Sequence, residues 1–328
     1  MRFTCFTFIK QKPFEKISKG FLLSSVECEP ALNRAFQQEA VLKIWTIGLC
    51  AATSLIPLVQ AHAEDDKDWR ASLNAGATLY SQDEDPQFAS LSLAREFDQG
   101  FIQLSVSAVR GGVTQGVLNA VPVNSETVAV SGGRSFGDFS VDGYVSLGQR
   151  SFDTEILERL GRRVTINSDG SSFGIGGGMS YDAVLGESVI VSPFLAVDYD
   201  RIDVGRAVTL PGGDITTVKS REDGVTGSAG VALQKLFGPD AQHSFGINAA
   251  FVATSNSSAT RSGTGSGTIG RIVAARNVPG QSDEWAEVGA SASFALSQDI
   301  SLNLNASRTL GFAGPEATSL IAGLSFRF

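Results

Sequence analysis

The chain has 328 residues, 42% hydrophobic and 18% charged, with a formal net charge of -8 and a mean hydropathy of +0.07. That balance excludes both a polytopic helical membrane protein and an acidic disordered tail. The negative charge argues against nucleic acid as a partner, because neutralising phosphates needs a basic surface.

The first element in chain order is residues 44–59, IWTIGLCAATSLIPLV, the only long apolar run, followed by Gln60-Ala61-His62-Ala63. Ala61 and Ala63 flank His62 in the small-x-small pattern of a cleavage site, and Lys43 supplies the upstream positive charge, so a cleaved secretory signal ending before Glu64 is expected. The run is short for a membrane span and is interrupted by Pro57. Met1–Ala40 is unlike a signal, whereas a chain beginning at Val41 carries an ordinary one, so the true start is expected near residue 41. The expected division is a leader over 1–63 and one domain over 64–328. All three cysteines, Cys5, Cys28 and Cys50, lie in the leader, so the exported domain must hold together without disulfides. From Glu64 onward 30 acidic residues face 19 basic ones, three of them lysine.

From Trp69 the pattern is strand-like. Trp69, Ala71, Leu73, Ala75, Ala77 and Leu79 alternate with Arg70, Ser72, Asn74, Gly76 and Thr78, a period of two that puts apolar residues on one face. Comparable stretches predict strands near 68–80, 88–96, 101–109, 126–135, 139–151, 171–182, 188–202, 224–236, 243–254, 284–297, 299–310 and 318–328. Many exceed the usual strand of about 5–6 residues and match the about 9–11 needed to cross a bilayer on a tilt. The connections alternate, short at 96–100, 136–138, 183–187, 237–242 and 298, long and polar at 110–125, 152–170, 203–223 and 255–283. Residues 82–87 and 311–317 fall in the long register. An outer-membrane barrel has short periplasmic turns and long outer loops, with both termini on the short side. The predicted fold class is therefore all-β, a 12-stranded antiparallel transmembrane β-barrel. A spanning sheet has to close, because an open edge would strand N–H and C=O groups in hydrocarbon.

Little in the sequence points to chemistry. His243, the only histidine after the leader, opens a strand beside Gly238-Pro239-Asp240, with Ser244 adjacent. A nucleophile, base and orienting partner must converge in space, and this neighbourhood reads as an ordinary turn, so no catalytic residues and no enzymatic activity are expected. Asp83-Glu84-Asp85 and Glu64-Asp65-Asp66 lack the ligand spacing of a calcium loop, and the glycines after Gly174 are followed by neither a helix nor a Lys-Ser/Thr pair. No metal site, cofactor or nucleotide is expected. Ser255–Gly270 is a low-complexity loop, and Glu155–Leu160 reads as a short helical turn. By register, Arg70, Asp142, Arg150, Asp198, Asp200, Glu287 and Arg327 point into the lumen, where charges set ion preference or brace the wall.

The closing segment, Ser319–Phe328, has Leu320, Ala322, Leu324, Phe326 and Phe328 on one face. It resembles the C-terminal signal read by the barrel-assembly machinery of Gram-negative bacteria. Gly174-Ile175-Gly176-Gly177-Gly178-Met179-Ser180-Tyr181-Asp182, then Val191-Ser192-Pro193-Phe194-Leu195-Ala196-Val197-Asp198-Tyr199, then Trp285–Val288, Phe294–Leu304 and Gly323–Phe328, occur in an order that resembles the translocator β-barrel of autotransporters. The resemblance covers most of Trp69–Phe328. It implies an integral outer-membrane protein, reached through the general secretion machinery, periplasmic chaperones and the assembly machinery, and surrounded by outer-membrane lipid and lipopolysaccharide. Only Glu64–Asp68 separates the expected signal from the first strand, so a free-standing barrel without a passenger is expected. The leading expectation is a non-enzymatic translocator or passive pore. The alternatives are a surface adhesin acting through its long loops and, behind it, an outer-membrane enzyme.

Overall fold

The computed structural model describes residues 68–80, 86–111, 114–115, 119–120, 124–152, 155–159, 162–209, 215–238, 241–256, 282–311 and 316–328. The expected signal, the start near Val41, the three cysteines, both acidic triplets, Pro239, Asp240 and residues 257–281 lie outside them. Twelve strands make the barrel: β1 Trp69–Tyr80, β2 Gln87–Phe97, β3 Gly100–Arg110, β4 Asn124–Phe136, β5 Phe139–Ser151, β6 Arg162–Tyr181, β7 Val189–Thr209, β8 Ile215–Phe237, β9 His243–Thr254, β10 Asp283–Ala295, β11 Ile300–Leu310 and β12 Ala317–Arg327. Each pairs antiparallel with the next, and β12 returns to β1, so the sheet is closed. All twelve stand where alternation predicted them. Both ends of the described barrel meet at the short-turn side, where Trp69 and Phe328 exchange N–H···O bonds of 3.1 and 2.9 Å.

Register sorts the two faces. One outward course runs Leu93–Leu104–Val130–Val145–Ile175 across β2 to β6. Another runs Leu324–Leu73–Leu91–Val106–Val128 from β12 through β1 to β4. In the protein alone most of these side chains are open, Val130 to 54% and Leu104 to 50%, because lipid is what covers such a belt. The opposite face is small and polar, with Ser92, Ser107, Thr127, Ser131, Ser146, Ser192 and Ser228 buried against the inner wall. At the short-turn end the belt finishes in Trp69, Phe139, Tyr181, Phe245 and Phe326. There Arg95 lies 5.7 Å from the Trp69 ring and 5.6 Å from Phe97, and Arg134 lies 5.2 Å from Phe136. A guanidinium over an aromatic face keeps its charge at the interface while its stem covers apolar surface.

The turns at this end are tight; Asp138 follows Gly137, whose φ of +64° is one that glycine adopts without steric cost. The opposite end corrects the sequence reading. β6, β7 and β8 run to 20, 21 and 23 residues against 11 to 13 for the other barrel strands, so most of 152–170 and 203–223, expected as loops, is strand. The polarity of these stretches marks departure from hydrocarbon, not from the sheet. Ile202, Val204 and Val208 still pair with Glu222, Ser220 and Thr216, and Asp203 pairs with Arg221. Glu155–Arg159, expected as a helical turn, is a strand paired to Arg162–Ile166. Five residues cannot overcome helix nucleation without tertiary support, whereas a neighbouring strand offers backbone partners at once.

Candidate functional site: the lumen and its seam

Arg70, Asp142, Arg150, Asp198, Asp200, Glu287 and Arg327 all fall on the inner courses, opposite the apolar belt in register. They do not form a single ring. Arg70 and Arg327 face each other directly across the β1–β12 seam. Like charges directly opposite on antiparallel strands repel, and the neighbouring strand supplies the counter-charge. Glu96 of β2 accepts from Arg70 Nη1 at 2.8 Å and from Arg327 Nη2 at 3.2 Å, bridging three strands. Asp68, Asp98, Gln298 and Asp299 line a recess of about 550 Å³ beside this triad at the short-turn mouth.

Farther up the lumen, the glycine-rich stretch of β6 acquires a physical reason. Tyr144 of β5 and Asp198 of β7 both stand opposite Gly176. With no side chain between them, Tyr144 Oη donates to Asp198 Oδ1 at 2.9 Å; a Cβ on Gly176 would run into the carboxylate and the ring. On the inner face of β10 Trp285 Nε1 donates to Glu287 Oε1 at 2.9 Å, with the residue 2% exposed and packed on Val252 of β9. Near the loop end Asn256 Nδ2 donates to Glu222 Oε2 at 3.1 Å, and the Thr226 and Thr254 hydroxyls pair at 3.0 Å. Three participants escaped the sequence reading. Glu96 shares parity with Ser90, Ser92 and Ala94 and was legible by alternation, Tyr144 was legible the same way, and Glu222 was hidden inside a stretch read as loop.

His243 sits on the outer side of the wall against Phe237 and Phe294, with ring centroids 5.5 and 6.0 Å away, and its Nδ1 accepts the Ala295 N–H at 3.2 Å. Ser244 is on the opposite face, in register with Leu236 and Ser293, so the two cannot form a nucleophile–base pair. Among the described residues there is no group of three or more His, Cys, Asp or Glu able to hold a metal ion. Leu320, Ala322, Leu324 and Phe326 lie on the outer face of β12 against Ala77, Ala75, Leu73 and Ala71 of β1, and Phe328 follows at the seam. This arrangement is that of a membrane-barrel wall, apolar outside, polar and charged inside.

Comparison with known proteins agrees with that geometry. A family model described as the autotransporter beta-domain matches residues 102–307. No curated protein matches the chain in sequence. Among solved structures, the translocator domain of autotransporter NalP from Neisseria meningitidis is similar at a TM-score of 0.57 with 13% identity, covering 88% of this chain and 98% of that one. The beta domain of the Bordetella autotransporter Brka is similar at 0.53 with 15% identity, covering 80% and 99%. At such identities the likeness speaks to fold.

Proposed function

Since the chain belongs to the autotransporter beta-domain family, whose fold is that of an outer-membrane barrel, we propose that it serves as a non-enzymatic conduit across the outer membrane, as translocator or pore, its lumen favouring cations. The observation that carries this reading is the inner face. Among the described strand side chains it holds Glu96, Asp142, Asp198, Asp200, Glu222, Asp283 and Glu287 against Arg70, Arg150, Arg206 and Arg327. Inward charge of one sign sets ion preference in a pore. Protein purified from outer membranes and placed in a planar bilayer is expected to give stable conductance steps with cation over anion preference. Asp198→Asn is expected to lower that preference. A folded barrel that stays silent, or one that prefers anions, would sink the reading.

The C-terminal residues support passage through the barrel-assembly machinery. Deleting Phe328 is expected to slow insertion severalfold, while Phe328→Tyr keeps it, measured as the fraction of heat-modifiable barrel after a pulse of synthesis. Unchanged insertion on deletion counts against an assembly signal. The paired arm that β6 to β8 build beyond the belt supports the alternative reading of a surface-interaction barrel. Removing its tip should then abolish adhesion and leave conductance intact.

A further inference from the structure

Tyr144, Gly176 and Asp198 stand in one register row across β5, β6 and β7, directly behind the outward course of Val145 and Ile175. Tyr144 and Asp198 are two strand spacings apart, about 10 Å between backbones. The phenol donates to Asp198 Oδ1 at 2.9 Å because both side chains lie along the wall, over the position where β6 has no side chain. The three atoms nearest to a Cβ on Gly176 all belong to the Asp198 and Tyr144 side chains. The adjacent glycines differ: a Cβ on Gly143 or Gly177 would press first on a backbone carbonyl oxygen. Gly176 is therefore a seat for this pair, whereas Gly143 and Gly177 let the strands approach. Tyr144 and Asp198 are both half-buried, so the pair still faces the lumen.

We propose that Tyr144 is a positioning residue for ion preference, holding the Asp198 carboxylate against the wall and so setting how strongly that charge acts on ions in the lumen. The inference rests on the conduit reading and names the side chain that tunes it. A phenol places a carboxylate without bringing a charge of its own, unlike the two guanidinium groups that hold Glu96 at the mouth. Asp198 held in this way keeps its charge but commits one oxygen to the wall. Released from the phenol, the side chain is free to turn towards the lumen axis. Moving a unit charge from about 8 to about 5 Å from a passing ion raises the local cation concentration about twofold at the dielectric constant of water. The held state leaves the lumen wider and its cation preference weaker, and release reverses both.

The test uses the full-length protein in planar bilayers, with heat-modifiable mobility confirming a folded barrel in every variant. The readout is the permeability ratio of potassium to chloride under a salt gradient. Tyr144→Phe keeps the ring over Gly176 and removes only the donor, and it is expected to raise the ratio about twofold. Gly176→Ala unseats the same pair and is expected to shift the ratio the same way, with a smaller unit conductance because the displaced ring enters the lumen. In the Asp198→Asn background, Tyr144→Phe is expected to change the ratio no further. A tyrosine that merely packed the wall would not produce that cancellation. A ratio unmoved by Tyr144→Phe in a conducting barrel, or moved equally in the Asp198→Asn background, would overturn this role and leave the conduit standing. A parent barrel that passes no current defeats the conduit itself, and the role of Tyr144 falls with it.

Discussion

Gly76→Ala is expected to leave the barrel unable to close. Gly76 stands on β1 opposite Ile321 of β12 and Phe88 of β2. A Cβ at this position meets the Leu320 carbonyl oxygen and comes within 2.5 Å of the Phe88 ring. The ring can swing aside, but the carbonyl belongs to the backbone of the seam and moves only by loosening the β1–β12 pairing. Overpacking alone costs about 1–3 kcal/mol, and the strained ladder adds to it, so a loss of about 3 kcal/mol or more is expected. It would be read as disappearance of the heat-modifiable band. Gly227→Ala is the matched control: it faces lipid with nothing within 4 Å of the added methyl. That change is expected to be neutral or to stabilise by about 0.4–1 kcal/mol through the unfolded chain. A Gly76→Ala barrel as resistant as the parent would show that seam packing is not what limits closure.

Glu96→Gln is expected to weaken the same seam by a different route. It leaves Arg70 and Arg327 paired against each other with no carboxylate between them. Fully buried ion pairs that lose one partner cost about 3–5 kcal/mol and exposed ones about 0–1. With Glu96 at 20% side-chain exposure and its partners at 30% and 48%, about 1–2 kcal/mol is the expected loss. The check is the unfolding temperature in detergent, together with the double variant Glu96→Gln/Arg327→Gln. Removing one of the two facing arginines should restore most of the loss; if the double variant is instead additive, Glu96 does not act by screening them.

The sequence made the barrel legible because lipid imposes one rule on every spanning strand, apolar outside and small or polar inside. That is why Trp69–Leu79 and Leu320–Phe328 could be oriented before their partners were known, and why the parity of Arg70 and Arg327 put both on the inner face. Outside hydrocarbon the rule lapses. Ile215–Asp223 alternates no more than a loop would, yet it pairs with Arg201–Thr209 through the backbone and the Asp203–Arg221 contact. Pairings across strands were equally out of reach. Nothing local tells that Tyr144 and Asp198 meet over Gly176, because their encounter depends on a register set by three strands at once.

The seam has a consequence for biosynthesis. Its side-chain contacts join residues 241 and 253 positions apart, Thr78 to Ser319 and Ser72 to Ser325, while the barrel's other strand pairs are between sequence neighbours. Hairpins can therefore accumulate at low loop-closure entropy, and the single step of high contact order comes last. Every truncation that loses β12 arrests the chain as an open sheet with two bare edges, however completely its earlier hairpins have formed. A surveillance protease needs no further mark than those edges to tell a premature stop from a finished molecule.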